Sequence, residues 1–361
     1  MLTERKKILY VVEAMGGGVF TYIVDLANAL VDTYDMYIAY AVRKQTPKNY
    51  RDYFDKRIKL VEVKNFCREI KPTKELAAVK EIKKIADEIK PDIIHLHSSK
   101  AGVIGRIAFN GVDVPLFYTP HGYSFLMKDA GVIKRGIYWG IEKVFANRNC
   151  TIISCSKGEY QESLKLTPNA TYVDNAINAE KLKERLKEVK EEEHPFTVFT
   201  LGRICYQKNP AQFNKIAEAM PNIKFMWIGD GDLRSELSAP NIEVTGWVDR
   251  ETALKKSINA DVFVLTSLWE GLPISLLEAM YMKKLCVVSN VIGNRDVIHN
   301  RKNGYVCNTV EEFVSAIKEN NLEYREQAYL DLMNHYDTQA QAKRYLSLIH
   351  ISEPTRLALI S

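Results

Sequence analysis

The chain has 361 residues, 46% of them hydrophobic and 26% charged, with a formal net charge of +5. That length suits two domains of ordinary size, and the balance is that of a globular protein rather than a disordered or collagen-like one. No apolar run approaches the ~18 residues of a membrane span, so any membrane contact is expected to be peripheral.

Met1–Lys7 is polar and leads straight into a strand, so no signal peptide is read there. Lys7–Val12 is a short apolar run, and Val19–Val31 follows with helical spacing, placing Phe20, Ile23, Val24, Ala27 and Leu30 on one face. Met36–Val42 and Ile58–Val63 read as strands. Leu76–Ile89 reads as a helix, with Lys90-Pro91 as its stop. Asp92–Leu96, Leu116–Thr119 and Thr151–Cys155 read as buried strands, with helices at Ala101–Phe109 and Val132–Ala146. The second half repeats the rhythm. Its strands are Phe196–Leu201, Lys224–Ile228, Ile242–Thr245, Asp261–Thr266 and Leu285–Ser289; its helices are Ala211–Met220, Thr252–Ile258, Ile274–Met282 and Glu311–Lys318. Strands alternating with helices imply parallel sheets of βαβ units, and two such series imply two doubly wound α/β domains. The boundary is expected near Thr171–Asn178, giving domains at 1–174 and 175–335 and a last helix at 336–345. The charge run Lys181–Glu193 reads as a solvated helix. Leu346–Ser361 resembles a translated sequencing-library adapter rather than evolved sequence and is left out of the fold reading.

Residues 1–175 carry 27 Lys and Arg against 20 Asp and Glu, and the remainder 23 against 25. A basic first half favours an acidic partner; anionic lipid headgroups and lipid diphosphates fit better than nucleic acid, though ordinary solvated charge has the same pattern. The six cysteines form no C-x-x-C pair and read as reduced, mostly buried thiols of a cytosolic protein.

The unusual residues fall at strand ends, where open parallel sheets bind ligands. Gly16, Gly17 and Gly18 follow the first strand and open a helix; such a turn lets backbone approach a phosphate or sugar, or makes a plain tight turn. Arg203 and Lys208, in GRICYQKNP, put two cations at one strand end, where they can neutralise a diphosphate and the charge it gains on leaving. Glu270 and Glu278 frame WEGLPISLLE. Pro273 is expected as the first helical residue, leaving the amides near Ile274 and Ser275 free; Glu278 can accept the two hydroxyls of a ribose and Glu270 those of a sugar. His121, beside Gly122, is a candidate hydrogen-bond donor or proton acceptor. His95 and His97 share a strand face, which raises metal binding, but no third ligand has suitable spacing. Ser98-Ser99-Lys100 could bind an anion or simply cap a helix. Asp230-Gly231-Asp232 formally matches a D-x-D metal motif but reads as a turn.

In order and spacing, the glycine-rich loop, GR…K and EGLPISLLE together resemble glycosyltransferase family 4, from about Lys7 to Tyr345; HSSKAGVIGR and VIGNRDVI look like members that build capsule, O-antigen or exopolysaccharide repeats on a polyprenyl diphosphate. The resemblance implies a GT-B fold, two Rossmann-like domains facing a central cleft, and a retaining transfer without metal or other cofactor. The substrate would be a nucleotide-sugar, UDP-linked as the first choice, and the acceptor a lipid-linked glycan at the inner face of the cell membrane. Arg203 and Lys208 would hold the donor diphosphate, Glu278 its ribose and Glu270 the transferred sugar. Gly271, Leu272 and Pro273 would line the donor, Val248 would meet the base through backbone with Trp247 only packing, and His121 would lie near the donor sugar. The family's inter-domain Asn-Gly is Asn175-Ala176 here, so the hinge is expected to differ. Phe125–Lys128 with Lys134, Arg135, Tyr138 and Trp139 are expected to form the membrane surface. A nucleotide-sugar epimerase of the same fold and a non-catalytic nucleotide-sugar-binding subunit are the alternatives.

Overall fold

The computed structural model describes residues 5–13, 15–43, 46–67, 72–146 and 148–352. The chain divides into two units, one of Met1–Ser124, Gly136–Asp174 and Thr338–Ser361, the other of Phe125–Arg135 and Asn175–Asp337.

The first unit is built on seven parallel strands: β1 (Lys7–Val12), β2 (Asp35–Tyr40), β3 (Lys59–Glu62), β4 (Ile93–His97), β5 (Leu116–Thr119), β6 (Thr151–Ser154) and β7 (Ala170–Tyr172). Their order is β3-β2-β1-β4-β5-β6-β7, so the winding direction reverses between β1 and β4. β1 and β4 are near-continuous apolar runs because helices cover both faces of the sheet. In register, Val12 lies beside both Tyr40 and His97, which brings three strand ends together. The helix Gly17–Leu30 buries Phe20, Ile23, Val24, Ala27 and Leu30, the face its spacing predicts.

The helix Thr338–Ser352 also packs on this core. Its apolar face continues past Tyr345, with Ala342, Tyr345 and Ile349 buried and Leu346 and Leu348 packed against the same cluster. The adapter-like stretch therefore enters the helix, although residues 353–361 lie outside the described residues.

The second unit has six parallel strands: β8 (Thr197–Leu201), β9 (Lys224–Ile228), β10 (Ile242–Val244), β11 (Val262–Leu265), β12 (Leu285–Ser289) and β13 (Tyr305–Cys307). The order is β10-β9-β8-β11-β12-β13, with the reversal between β8 and β11. Phe213, Phe225, Trp227 and Phe313 fill the space between its sheet and helices. The predicted doubly wound α/β architecture is what the strands form. The charge run makes a shorter helix than predicted, Ala179–Lys187, capped where Asn178 accepts the Lys181 amide. All six cysteines are free thiols, four of them buried.

Candidate active site

In the second unit, the loops leaving β8 and β11 are stitched together because those strands are neighbours at the reversal. Thr266 Oγ1 donates to the Lys208 carbonyl (2.7 Å), the Leu268 amide to the Gln207 carbonyl (2.8 Å), and Gln207 Nε2 to the Trp269 carbonyl (2.9 Å). These bonds set Lys208 Nζ 2.7 Å from Glu270 Oε1, an ion pair in which Glu270 is only 7% exposed. Gln207 Nε2 also lies 3.4 Å from Glu270 Oε2. Arg203, half-buried at the end of the same strand, has no hydrogen-bond or ion-pair partner among the described residues. A cation paired with a buried carboxylate and a second cation without a partner among the described residues thus lie on the loops that follow β8 and β11.

Glu278, 3% exposed, is not left to a ligand alone. Arg250 grips both of its oxygens, through Nη1 at 3.0 Å and through Nη2. Pro273 is the residue before the helix Ile274–Tyr281, not its first residue: at ψ 123° it is extended, and its carbonyl accepts the Leu276 and Leu277 amides. The Ile274 and Ser275 amides remain without intrahelical acceptors. Gly271 and Leu272 are fixed from both sides. Asn175 Nδ2 donates to the Leu272 carbonyl (2.7 Å), and Gly293, at φ +81°, lies so close that a Cβ there would come within 2.3 Å of the Gly271 carbonyl oxygen. Neither Asn175 nor Ala176 takes a positive φ. Val248 is half-buried, whereas Trp247 is 62% exposed and so does not serve as packing.

In the first unit, Gly16 caps the helix Gly17–Leu30, and Gly17, at φ +57°, has open space where a Cβ would project. Gly17 and Gly18 are exposed, so the first-turn amides face outward. His121 sits past β5 at φ +54°, a strained left-handed conformation for a histidine. The next amide, of Gly122, donates to the buried carboxylate of Glu159 (2.6 Å), which also accepts the Cys155 amide (2.8 Å). His97 Nδ1 lies 3.1 Å from His121 Nε2, and the His95 and His97 rings lie 3.9 Å apart. His95 is engaged at both nitrogens, by the Tyr345 hydroxyl (2.6 Å) and the Thr119 hydroxyl (2.8 Å). Burial holds the pKa of His121 down at about 3 and those of His95 and His97 well below the ordinary value.

Other candidates are engaged elsewhere. Ser98, at φ +77°, makes no side-chain cap, and Lys100 pairs with Glu75 at 2.8 Å. Asp230 accepts the Gly231 amide (2.8 Å) and faces Arg234 at 3.3 Å. Of the aromatic and basic group assigned to a membrane surface, Phe125 is buried and Arg135 donates to the Phe125 carbonyl. Lys134, Tyr138 and Trp139 lie on the helix Val132–Ala146, where Trp139 is exposed and Ile133 (83% exposed), Ile137, Ile141 and Val144 form one further apolar stripe. The opposite side is anchored by Glu142, bound to the buried Arg106 at 2.7 Å. Gln207, Arg250, His97 and Glu159 thus join the candidate residues. Only His97 carried a sequence signal, its two-residue spacing from His95.

Two open parallel sheets with glycine- and charge-bearing loops at their reversal points form the GT-B fold. The fold matches that of sucrose-phosphate synthase from Thermosynechococcus elongatus with a TM-score of 0.80 at 15% identity, covering 96% of this chain and 99% of that one. Residues 16–181 match the family described as Glycosyltransferase Family 4, and residues 195–320 match Glycosyl transferases group 1. A UDP-Gal:alpha-D-GlcNAc-diphosphoundecaprenol alpha-1,3-galactosyltransferase of Escherichia coli is 31% identical over 299 residues, 74% of this chain and 76% of that protein. An uncharacterized 41.2 kDa protein in the cps region of Klebsiella pneumoniae is 28% identical over 61% of this chain and 66% of its own length. The chain belongs to glycosyltransferase family 4 and is a glycosyltransferase.

Proposed function

We propose that this enzyme transfers a sugar from a UDP-sugar to a glycan linked through diphosphate to a polyprenyl lipid, retaining the anomeric configuration and using no metal, in the synthesis of a cell-surface polysaccharide. The observation that carries the reading is the Lys208–Glu270 pair at the β8–β11 reversal, on the same loop as Arg203, which has no partner among the described residues. Before donor binds, Glu270 is the counter-ion that makes burial of Lys208 tolerable. A bound donor offers both groups better-matched partners: diphosphate oxygens for Lys208 and Arg203, sugar hydroxyls for Glu270. As the sugar–oxygen bond breaks, negative charge grows on the departing diphosphate. Two cations on the loop that follows β8 would stabilise it, the role a divalent ion would otherwise fill. Glu278 exchanges Arg250 for the ribose hydroxyls in the same manner. The acceptor and the UDP donor are supported by the likeness to the E. coli galactosyltransferase, and the polysaccharide context by the Klebsiella cps-region relative.

The lipid-linked acceptor requires the enzyme to work at a membrane, which we place at the cytoplasmic face. Among the described residues no helix is long and apolar enough to cross one. The helix Val132–Ala146 offers the alternative, an apolar stripe presented outward while Glu142 ties its other side to the fold. Such a helix would lie in the headgroup region.

The test is a donor screen. The protein is incubated in chelator with a polyprenyl-diphosphate-linked sugar and a panel of UDP- and GDP-sugars, and the product linkage is read by NMR. One UDP-sugar should give an α-linked product, and donor alone should give no epimer. A product of inverted configuration, or turnover only with a GDP-sugar, contradicts the reading.

A further inference from the structure

We infer that His97 is a positioning residue that fixes the tautomer of His121, so that His121 presents an Nδ1–H donor to a sugar oxygen of the substrate rather than acting as a general base. His97 is fully buried, and its Nε2 has no hydrogen-bond partner. Its Nδ1 lies 3.1 Å from His121 Nε2, so one of those two nitrogens carries the shared proton. Burial keeps both rings neutral, and a neutral imidazole has one N–H.

The alternatives differ in what they leave stranded. A proton on His97 Nε2 would be a buried N–H with no acceptor, a rare and costly arrangement, whereas an unpaired acceptor is better tolerated. The proton therefore belongs on His97 Nδ1, donated to His121 Nε2. With Nε2 accepting, His121 carries its own proton on Nδ1. That edge has no partner among the described residues, and the ring is half-buried rather than enclosed.

The surroundings hold the geometry. Tyr10 packs edge-on against His97 (4.8 Å between centroids) and Tyr22 against His121 (4.7 Å). The His95 ring packs at a tilt against His97, 3.9 Å between centroids, and is itself locked by Tyr345 and Thr119. The Glu159 carboxylate, by accepting the Gly122 amide, keeps the backbone of His121 in its strained conformation. A histidine donating from Nδ1 while accepting at Nε2 has no free lone pair, so it cannot take the acceptor's proton. The same logic of tautomer control by a buried neighbour governs other catalytic histidines.

The sugar oxygen as partner rests on the proposed transfer reaction; the tautomer does not. The full chain is labelled with 15N-histidine, and long-range 1H–15N correlations are recorded at neutral pH, with His121→Gln used to assign the signal. Both His97 and His121 should show the Nδ1–H pattern. His97→Leu should leave His121 mixed or in the Nε2–H form and lower kcat about tenfold with donor KM little changed, while His97→Asn, whose amide N–H stands near the lost Nδ1–H, should restore both. An Nε2–H pattern for His121 in the unsubstituted protein overturns the inference, as does a His97→Leu variant with unchanged tautomer and kcat. Should His97→Leu fail to fold, the unsubstituted spectrum decides alone. A protein that shows the Nδ1–H pattern but transfers no sugar refutes the proposed reaction and leaves the tautomer assignment standing.

Discussion

Arg250 holds Glu278 by both carboxylate oxygens across 28 residues of sequence, in a helix whose Ile274 and Ser275 amides have no intrahelical acceptor. Glu278 is buried, so loss of that guanidinium leaves its carboxyl oxygens without those two hydrogen bonds. Arg250→Ala should destabilise the protein by about 2–3 kcal/mol, less than a fully buried pair because Arg250 is partly exposed. Saturating UDP should restore more stability to this variant than to the parent, since ribose hydroxyls replace the lost donors. Thermal unfolding with and without UDP measures both effects; equal UDP shifts would separate Glu278 from the ribose.

The Arg106–Glu142 pair is fully enclosed, with Tyr118 donating to the other Glu142 oxygen at 2.9 Å and its ring 4.4 Å from the guanidinium. Glu142→Ala leaves a buried cation without a counter-charge and should cost about 3–5 kcal/mol. Urea denaturation reads this directly, and a loss under about 1 kcal/mol would mean that the network relaxes or admits water.

Much of this was legible in the sequence. β1, β5, β9 and β12 have the predicted bounds because each is an apolar run flanked by turn residues or charge. β7 and β13 were missed because a three-residue edge strand such as Ala170–Tyr172 has too few residues for a pattern. The helices Lys157–Leu166 and Leu322–His335 were missed because their apolar positions are sparse among charged ones. Lys208 and Glu270 stood out individually, but only the adjacency of β8 and β11 pairs them. Arg250 gave no signal, because a lone arginine beginning a helix looks like surface charge until the fold brings Glu278 to it.

Stability should fall in mild acid. His95, His97 and His121 are held neutral by burial, while in the unfolded chain such imidazoles titrate near 6.5. Below that pH the unfolded state binds more protons, so stability is complete above it and declines as pH falls toward 3. Each histidine contributes a slope of about 1.4 kcal/mol per pH unit. Urea midpoints at neutral pH and in mild acid should differ accordingly, and His95→Gln should flatten the dependence. A pH-independent midpoint would contradict the burial of these rings.

The exposed stripe on Val132–Ala146 predicts a separation of stability from membrane binding. Ile137→Ser and Val144→Ser replace mostly exposed side chains, so each should change stability by no more than about 0.5 kcal/mol. Together they should weaken binding to phosphatidylglycerol vesicles at least about tenfold in cosedimentation. Unchanged vesicle binding would move the membrane surface elsewhere.

The most direct test is the initial rate of sugar transfer in excess EDTA for the parent protein and for Arg203→Ala and Lys208→Ala. If two cations stabilise the leaving diphosphate in place of a metal, the parent keeps its rate in chelator, and each substitution lowers kcat by about 10²-fold or more. A parent rate that vanishes in EDTA and returns with Mg²⁺ or Mn²⁺, or variants that transfer sugar at the parent rate, would contradict the account.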